Sequence, residues 1–186
     1  RNAAASRTSA YRVEEKYDKN RLKAFIDKLL IHKIKVYRDG EDAILIPTSQ
    51  PQYRMVQTFF ESYEKYRDSV FYDASAWSVA NFYNMRYEPT RSYSTDNRVE
   101  STEGVVAVTA VTRSDYAYLI DWNDYNAPAL LHRLQSKGLV LSSAFKPFST
   151  RSNDGEMSFS YGTLVLPVAL QKKTPHEVHE LLKEAQ

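Results

Sequence analysis

The stretch Asp68-Ser-Val-Phe-Tyr-Asp-Ala-Ser-Ala-Trp77 has the pattern of a central strand that runs into a helix. Its apolar run, residues 70–72, predicts a buried strand that ends at Asp73. Ser75 and Trp77 then fall in the first turn of the predicted helix. In open α/β sheets, ligands collect beyond the carboxyl ends of such strands. The stretch therefore predicts the centre of the fold and one side of a binding crevice.

Two similar segments flank this stretch. The first is predicted to contain a helix over 19–33, strands over 35–37 and 43–46, and a helix after Gln50. The second is predicted to contain a helix over 127–137, strands over 139–146 and 162–166, and a helix after Gln171. In each, the second strand is followed by a proline, Pro47 or Pro167. This internal helix–strand–strand–helix repeat predicts an α/β fold, a layered sheet flanked by helices.

Between the repeats, the sequence predicts a strand over 105–112 and another over 116–120. Residues 86–103 have no hydrophobic period and predict a surface loop, and so do residues 151–155. Residues 1–10 are small and polar and predict a flexible lead. Since the chain begins at Arg1, we expect a piece of a longer protein.

Composition bounds the class of protein. The chain has 186 residues, 42% of them hydrophobic and 26% charged, which fits one soluble α/β domain over 11–186. A net charge of +2 gives no support for a nucleic-acid partner or an anionic membrane. No apolar run approaches the roughly 20 residues that a membrane-spanning helix needs. The sequence therefore predicts neither nucleic-acid binding nor a membrane span.

No catalytic pattern is present in the sequence. The absence of cysteine excludes disulfides, thiolate metal sites and a cysteine nucleophile. There is no glycine-rich phosphate loop and no Gly-x-Ser-x-Gly elbow. His176 and His179 are three residues apart, not the four of a helical zinc motif, and Thr174 and Glu177 suit a helix capping box. We therefore predict no catalytic residue, metal ligand or cofactor, and keep a serine-dependent hydrolase as a remote alternative.

The ends of two predicted strands are the candidate binding site. Each strand runs into an acid and a tryptophan, so that the carboxylate can accept hydrogen bonds and the indole can offer a flat apolar face. The candidate ligand-binding residues are Asp73, Ser75, Trp77, Asp121 and Trp122. The structural alternative is that Asp73 caps the helix after it and that both tryptophans belong to the core.

Several strings together resemble one family. They are Leu45-Ile-Pro-Thr-Ser-Gln-Pro-Gln-Tyr-Arg-Met-Val56, Asp68 to Trp77, Tyr116-Ala-Tyr-Leu-Ile-Asp121, Ala129-Leu-Leu-His-Arg-Leu134, Lys146-Pro-Phe148 and Gly162-Thr-Leu-Val-Leu-Pro167. This set resembles the C-terminal region of bacterial, Bacteroidetes-type zinc carboxypeptidase-like proteins over most of residues 19–185. In that family, the region follows a catalytic metallopeptidase domain and is similar to class I glutamine amidotransferases. The resemblance implies a flavodoxin-like fold and a secreted or periplasmic location.

The family's catalytic residues do not carry over to this chain. The zinc site of the family uses an HxxE motif, and the third residue after each of His32, His132, His176 and His179 is not acidic. Amidotransferase chemistry needs a cysteine. The resemblance therefore implies a non-catalytic accessory domain of a zinc metallocarboxypeptidase, with zinc and peptide hydrolysis confined to the parent protein. Its expected partners are the catalytic domain of the same chain or a second copy. The alternative is a stand-alone ligand-binding module near Asp73 and Asp121.

Overall fold

A computed structural model of the chain describes residues 8–61, 78–103, 105, 110–152 and 155–186. The stretch 68–77 lies outside the described residues, and so does most of the strand predicted over 105–112. The chain divides into two compact units, Arg1–Ala107 and Val108–Gln186. The single domain over 11–186 stays a prediction. Both units mix helices with small antiparallel sheets, so the chain belongs to the mixed α/β class.

The first unit is built on a four-stranded antiparallel sheet. Its described strands are β1 (Ala10–Glu14), β2 (Tyr37–Asp39), β3 (Ala43–Pro47) and β4 (Arg86–Thr90). Its described helices are α1 (Lys19–Ile31), α2 (Tyr53–Phe60) and α3 (Val79–Phe82). The strand order is β2-β3-β1-β4. This order and these directions are the connectivity of the split βαβ motif, in which helices connect strands that are not neighbours in the sheet.

Helix α1 follows directly from its sequence. The Asp18 carboxylate accepts a hydrogen bond from the backbone N–H of Arg21 at 2.8 Å and so caps the helix. Its apolar residues recur every three or four positions and are buried together: Leu22, Phe25, Ile26 and Leu29. The helix ends at Ile31, and Lys33 then takes the left-handed conformation with φ 57°. The predicted helix over 19–33 is therefore confirmed, with an end two residues earlier.

Aromatic side chains dominate the core of the first unit. Phe25 and Phe59 are at most 1% exposed, and their ring centroids are 6.0 Å apart. Tyr11 of β1 stacks on Phe60 of α2 at 4.4 Å. Burial, together with the nearby Glu61 and Tyr87, raises the pKa of Tyr11. These contacts fix the two longer helices on the sheet.

The second unit has a three-stranded sheet and a separate hairpin. Its described strands are β5 (Ala117–Ile120), β6 (Ser142–Ser143), β7 (Phe148–Ser152), β8 (Gly155–Phe159) and β9 (Leu164–Pro167). Its described helices are α4 (Ala127–Ser136) and α5 (Pro175–Ala185). Among the described strands, the sheet order is β5-β9-β6, and β7 pairs only with β8. Among its described residues, one buried apolar cluster forms the core: Tyr118, Leu134, Leu139, Leu166, Val168, Val178, Leu182 and Ala185.

The two units repeat one pattern of strand, helix, strand, strand, helix. The first strand of the pattern pairs antiparallel with the third, β1 with β3 and β5 with β9. Each pairing begins with an Ala–Pro pair, Ala10 with Pro47 and Ala117 with Pro167. The predicted order of helix, two strands and helix is therefore present in both units. The structure adds β1 before the first repeat and the β7–β8 hairpin inside the second, and it confirms the strand predicted over 116–120 as β5.

A glutamine forms the same clamp in each repeat. Gln171 Nε2 donates to the carbonyls of Pro167 at 2.7 Å and Val140 at 2.9 Å, and its Oε1 accepts from the Val140 N–H at 2.9 Å. Gln50 makes the matching bonds: 2.7 Å to Pro47, 3.4 Å to the Lys35 carbonyl, and 2.7 Å from the Lys35 N–H. In the first unit, the clamp ties the end of β3 to the segment that leads into β2. In the second unit, it ties the end of β9 to the segment that leads into β6.

Three loop predictions are wrong at some of the residues that the structure describes. Ser9 and Ala10 are not a free lead, because the Ser9 N–H donates to Thr90 at 3.0 Å and Ala10 is fully buried. Residues 86–90 form β4 on the edge of the sheet, where Pro89 is tolerated. Arg151, Ser152 and Gly155 are strand residues of the β7–β8 hairpin.

The flavodoxin-like expectation finds no support in the described sheets. A flavodoxin-like fold is built around a parallel sheet. Every strand pair in the described ranges is antiparallel. In the first unit, β2 and β3 are antiparallel because a tight turn at Gly40, which has φ 78°, joins them directly. The strands that helices connect do not pair with each other, because another strand is inserted between them.

Candidate binding rim

Two of the five predicted ligand-binding residues lie in the described part of the chain. Asp121 and Trp122 follow β5 directly, at the carboxyl end of that strand. Asp73, Ser75 and Trp77 lie outside the described residues. The site predicted at two strand ends can therefore be followed at one of them.

Asp121 organises the turn between β5 and α4. Its Oδ1 accepts hydrogen bonds from the backbone N–H of Asn123 at 3.0 Å and from Asn123 Nδ2 at 2.9 Å. Asn123 Nδ2 also donates to Ser160 Oγ at 2.9 Å. Ser160 lies in the turn before β9, so this chain of polar side chains joins two turns at the same end of the sheet. The polar groups are therefore held in place, with Asp121 and Asn123 exposed to solvent and Ser160 half-buried.

Trp122 lies on the surface, supported by a glycine. A Cβ placed on Gly162 would stand 3.1 Å from Trp122 Cδ1, which is closer than ordinary contacts allow. Gly162 also has φ +83°, where side chains are strained. The indole packs on this bare backbone and stays 40% exposed. The alternative that Trp122 is a core residue is therefore wrong.

Sequence reasoning missed three further aromatic residues at this end of the sheet. Tyr125 shares the turn of Trp122, Tyr161 precedes Gly162, and Phe145 follows β6. They are 45%, 66% and 87% exposed, respectively. We call Trp122, Tyr125, Phe145 and Tyr161 the aromatic rim. The signal that could have found it is aromatic residues beside turn-forming Asn, Gly and Pro in 122–126, 145–147 and 161–162.

Backbone hydrogen bonds bring these turns together. The Gly162 N–H donates to the Ala144 carbonyl at 2.9 Å, and the Ala144 N–H donates to the Thr163 carbonyl at 2.9 Å. Thr163 is fully buried, and its hydroxyl donates to the Ser160 carbonyl at 2.9 Å. The rim is therefore carried by turns fastened to the sheet.

The corresponding end of the first unit has a different chemistry. Arg12 Nε donates to Asp39 Oδ2 at 2.6 Å, which raises the pKa of Arg12. Lys19 pairs with Asp42, and Arg21 pairs with Glu15 at 3.3 Å. The charged side chains in and beside the turns at this end of the first sheet are thus held in ion pairs. Among the described residues, this end carries ion pairs and one exposed ring, Tyr17, in the first unit, and four exposed aromatic rings in the second.

No protein-family model, curated protein or solved structure matches this chain. Function is therefore inferred from the residues, their geometry and the family resemblance.

The histidine pair of α5 lies beside a helix cap and a contact with β5. Glu177 accepts from the Thr174 N–H at 2.7 Å and completes the predicted capping box, which is confirmed. Hydrogen bonds from Thr174 lower the pKa of Glu177. His179 Nδ1 lies 3.2 Å from the Tyr118 hydroxyl, which accepts from the Ser114 N–H at 3.0 Å. Among the described residues, there is no group of three or more side chains able to hold a metal ion.

Within the described ranges, no helix combines the length and apolarity needed to cross a bilayer. The longest described helix, α1, has 13 residues.

Proposed function

We propose that this chain is a non-catalytic accessory region of a zinc carboxypeptidase-like protein, and that it acts by binding. The family strings support the first part of the proposal. The missing cysteine and the missing HxxE motif support a role without chemistry of its own. The parent protein would be secreted or periplasmic, and its zinc would belong to the catalytic domain.

The observation that carries a binding role is the aromatic rim. Exposed clusters of large apolar side chains mark interaction sites on soluble proteins. Tyr and Trp are enriched at such sites because they offer large contact areas with few rotatable bonds. Asp121 at the rim accepts hydrogen bonds from Asn123 rather than from a base or a nucleophile. The geometry therefore favours recognition over catalysis.

Peptidase assays test the absence of catalysis. We expect the purified chain to leave hippuryl-phenylalanine and hippuryl-arginine intact, with or without added zinc. Hydrolysis that a chelator abolishes would overturn the proposal. Labelling by an active-site serine probe would instead support the serine hydrolase.

The coding sequence upstream of Arg1 tests the parentage. The proposal expects an HxxE motif and a later histidine in the same reading frame. An initiator methionine directly before Arg1, or an unrelated domain upstream, would refute it. Sedimentation velocity of the chain, alone and mixed with that catalytic domain, then separates the two expected partners. A heterocomplex favours the catalytic domain, and a concentration-dependent dimer favours a second copy.

The second candidate function is a stand-alone ligand-binding module at the strand ends near Asp73 and Asp121. The exposed Trp122 beside Asp121 favours it. Asp73→Ala and Trp77→Ala should then weaken ligand binding together with changes at Asp121 and Trp122. Unchanged affinity in the first two variants would confine the site to the rim.

A further inference from the structure

We propose that the aromatic rim binds carbohydrate, through stacking of sugar rings on its exposed aromatic faces. This inference rests on the proposed binding role and names the chemical class of the ligand. A pyranose ring presents a face of C–H groups and an edge of hydroxyl groups. Aromatic rings carry negative charge on their faces, so they attract the C–H face. A surface for sugars therefore needs exposed flat rings with hydrogen-bonding groups between them.

The rim has such rings in a fixed position. Trp122 packs against the backbone at Gly162, where no side chain intervenes. Tyr161 is the neighbour of Gly162, and Phe145 follows Ala144, whose carbonyl accepts from the Gly162 N–H at 2.9 Å. Three rings thus stand on turns that are hydrogen-bonded to one another. A preformed surface loses little conformational freedom when a ligand binds.

Polar groups lie between the rings. Asp121, Asn123 and Ser160 form a hydrogen-bonded chain that crosses from the turn of Trp122 to the turn of Tyr161. Within the described part of the protein, Asp121 Oδ2 has no hydrogen-bond partner, and the residue is exposed. A carboxylate oxygen at this place can accept bonds from sugar hydroxyls.

The charge of the rim separates carbohydrate from nucleic acid. Stacked bases also need exposed aromatic rings, but their phosphates need a cationic groove. The rim turns hold two acids, Asp121 and Asp124, and one base, Lys146. This balance disfavours a polyanion and suits a neutral ligand. Among the described residues, the matching end of the first unit carries ion pairs and one exposed aromatic ring, Tyr17, instead of four such rings.

A titration with four neutral oligosaccharides tests the proposal. The probes are cellohexaose, chitohexaose, maltohexaose and laminarihexaose, added to the full chain and followed by calorimetry and tryptophan fluorescence. At least one probe should bind. Trp122→Ala and Tyr161→Ala should each weaken that binding about tenfold or more, as expected for the loss of a stacked ring. Tyr161→Phe keeps the ring and should change affinity by less than about threefold.

Tyr17→Ala is the matched control, because Tyr17 is 92% exposed in the first unit. It should leave affinity unchanged. Thermal melts of every variant separate loss of binding from loss of folding, and the exposed Tyr161 carries the test if Trp122→Ala unfolds. Failure of all four probes, or binding that survives Tyr161→Ala, overturns the proposal. So does a dimer that both substitutions dissociate, since a second copy would then cover the rim. Peptide hydrolysis by the chain would refute the accessory role alone.

Discussion

Substituting the clamp glutamine Gln171 by alanine should destabilise the second unit by about 1.5–3 kcal/mol. The side chain makes three hydrogen bonds, two to Val140 and one to Pro167, between 2.7 and 2.9 Å. At about 0.5–1.5 kcal/mol each, three bonds contribute about 1.5–4.5 kcal/mol. Val140 is 56% exposed, so water replaces part of the loss and the lower half of that range applies. Gln171→Glu should cost at least as much, because it sets a carboxylate against two carbonyls.

Urea unfolding followed by circular dichroism measures this loss. A change of 2 kcal/mol lowers the midpoint by about 1 M for a chain with a slope near 2 kcal/mol per M. Hydrogen exchange at the Val140 N–H gives a local readout that does not depend on two-state unfolding. Gln50→Ala should produce a similar loss in the first unit, with faster exchange at the Lys35 N–H.

Gln135→Ala is the control for this prediction. Gln135 is an exposed residue of α4 with no side-chain hydrogen bond to the described residues. Its substitution should change stability by less than about 0.5 kcal/mol. A Gln171→Ala variant as stable as this control, with unchanged exchange at Val140, would refute the clamp as a source of stability.

Two further substitutions test the support of the rim and an ion pair of the first unit. Gly162→Ala should lower the free energy of unfolding by about 1–3 kcal/mol and increase the exposure of Trp122. Gly40→Ala is the control, because Gly40 has a similar φ of +78° but open space around it, and it should cost only about 1 kcal/mol. Equal losses in the two variants would argue against the contact between Gly162 and Trp122. Burial raises the pKa of Asp27, but hydrogen bonds from Lys23 and Thr102 outweigh it and lower the pKa. Thr102→Val should therefore lower the free energy of unfolding by about 0.5–1 kcal/mol at pH 7. This difference between variant and parent should disappear as the pH falls through the folded-state pKa of Asp27. A loss that is the same at pH 7 and pH 2 would contradict this.

Helices with a strong apolar period could be predicted from the sequence. The spacing of Leu22, Phe25, Ile26 and Leu29 identifies α1, and its buried face is the one expected. The Thr174–Glu177 capping box fixes the start of α5. These signals are local, so they survive whatever the rest of the chain does.

Strands with weak patterns could not be predicted. β4 reads Arg-Tyr-Glu-Pro-Thr, with a proline and three polar residues, and becomes a strand because β1 offers it a partner. The polar β7–β8 hairpin is similar. Strand propensity depends on the neighbours that a segment meets, and these are set by tertiary structure.

The candidate site could be predicted only in part. The acid and tryptophan after residues 116–120 identify one of the turns that carry the rim. Tyr125, Phe145 and Tyr161 come from turns up to 36 residues apart, as their numbers show, and only the sheet brings those turns to one end. Exposure itself also depends on packing, since an aromatic residue in the sequence is as readily buried as exposed.

Amide chemical-shift mapping tests the central claim most directly, that the second repeat binds through its rim while the first is closed by ion pairs. The measurement compares spectra of the isotope-labelled chain with and without each of the four oligosaccharides. We predict shifts confined to residues 121–126, 144–146 and 160–162 for at least one of them. Shifts centred on residues 14–19 and 39–42, or no shifts with any of the four, would contradict the account.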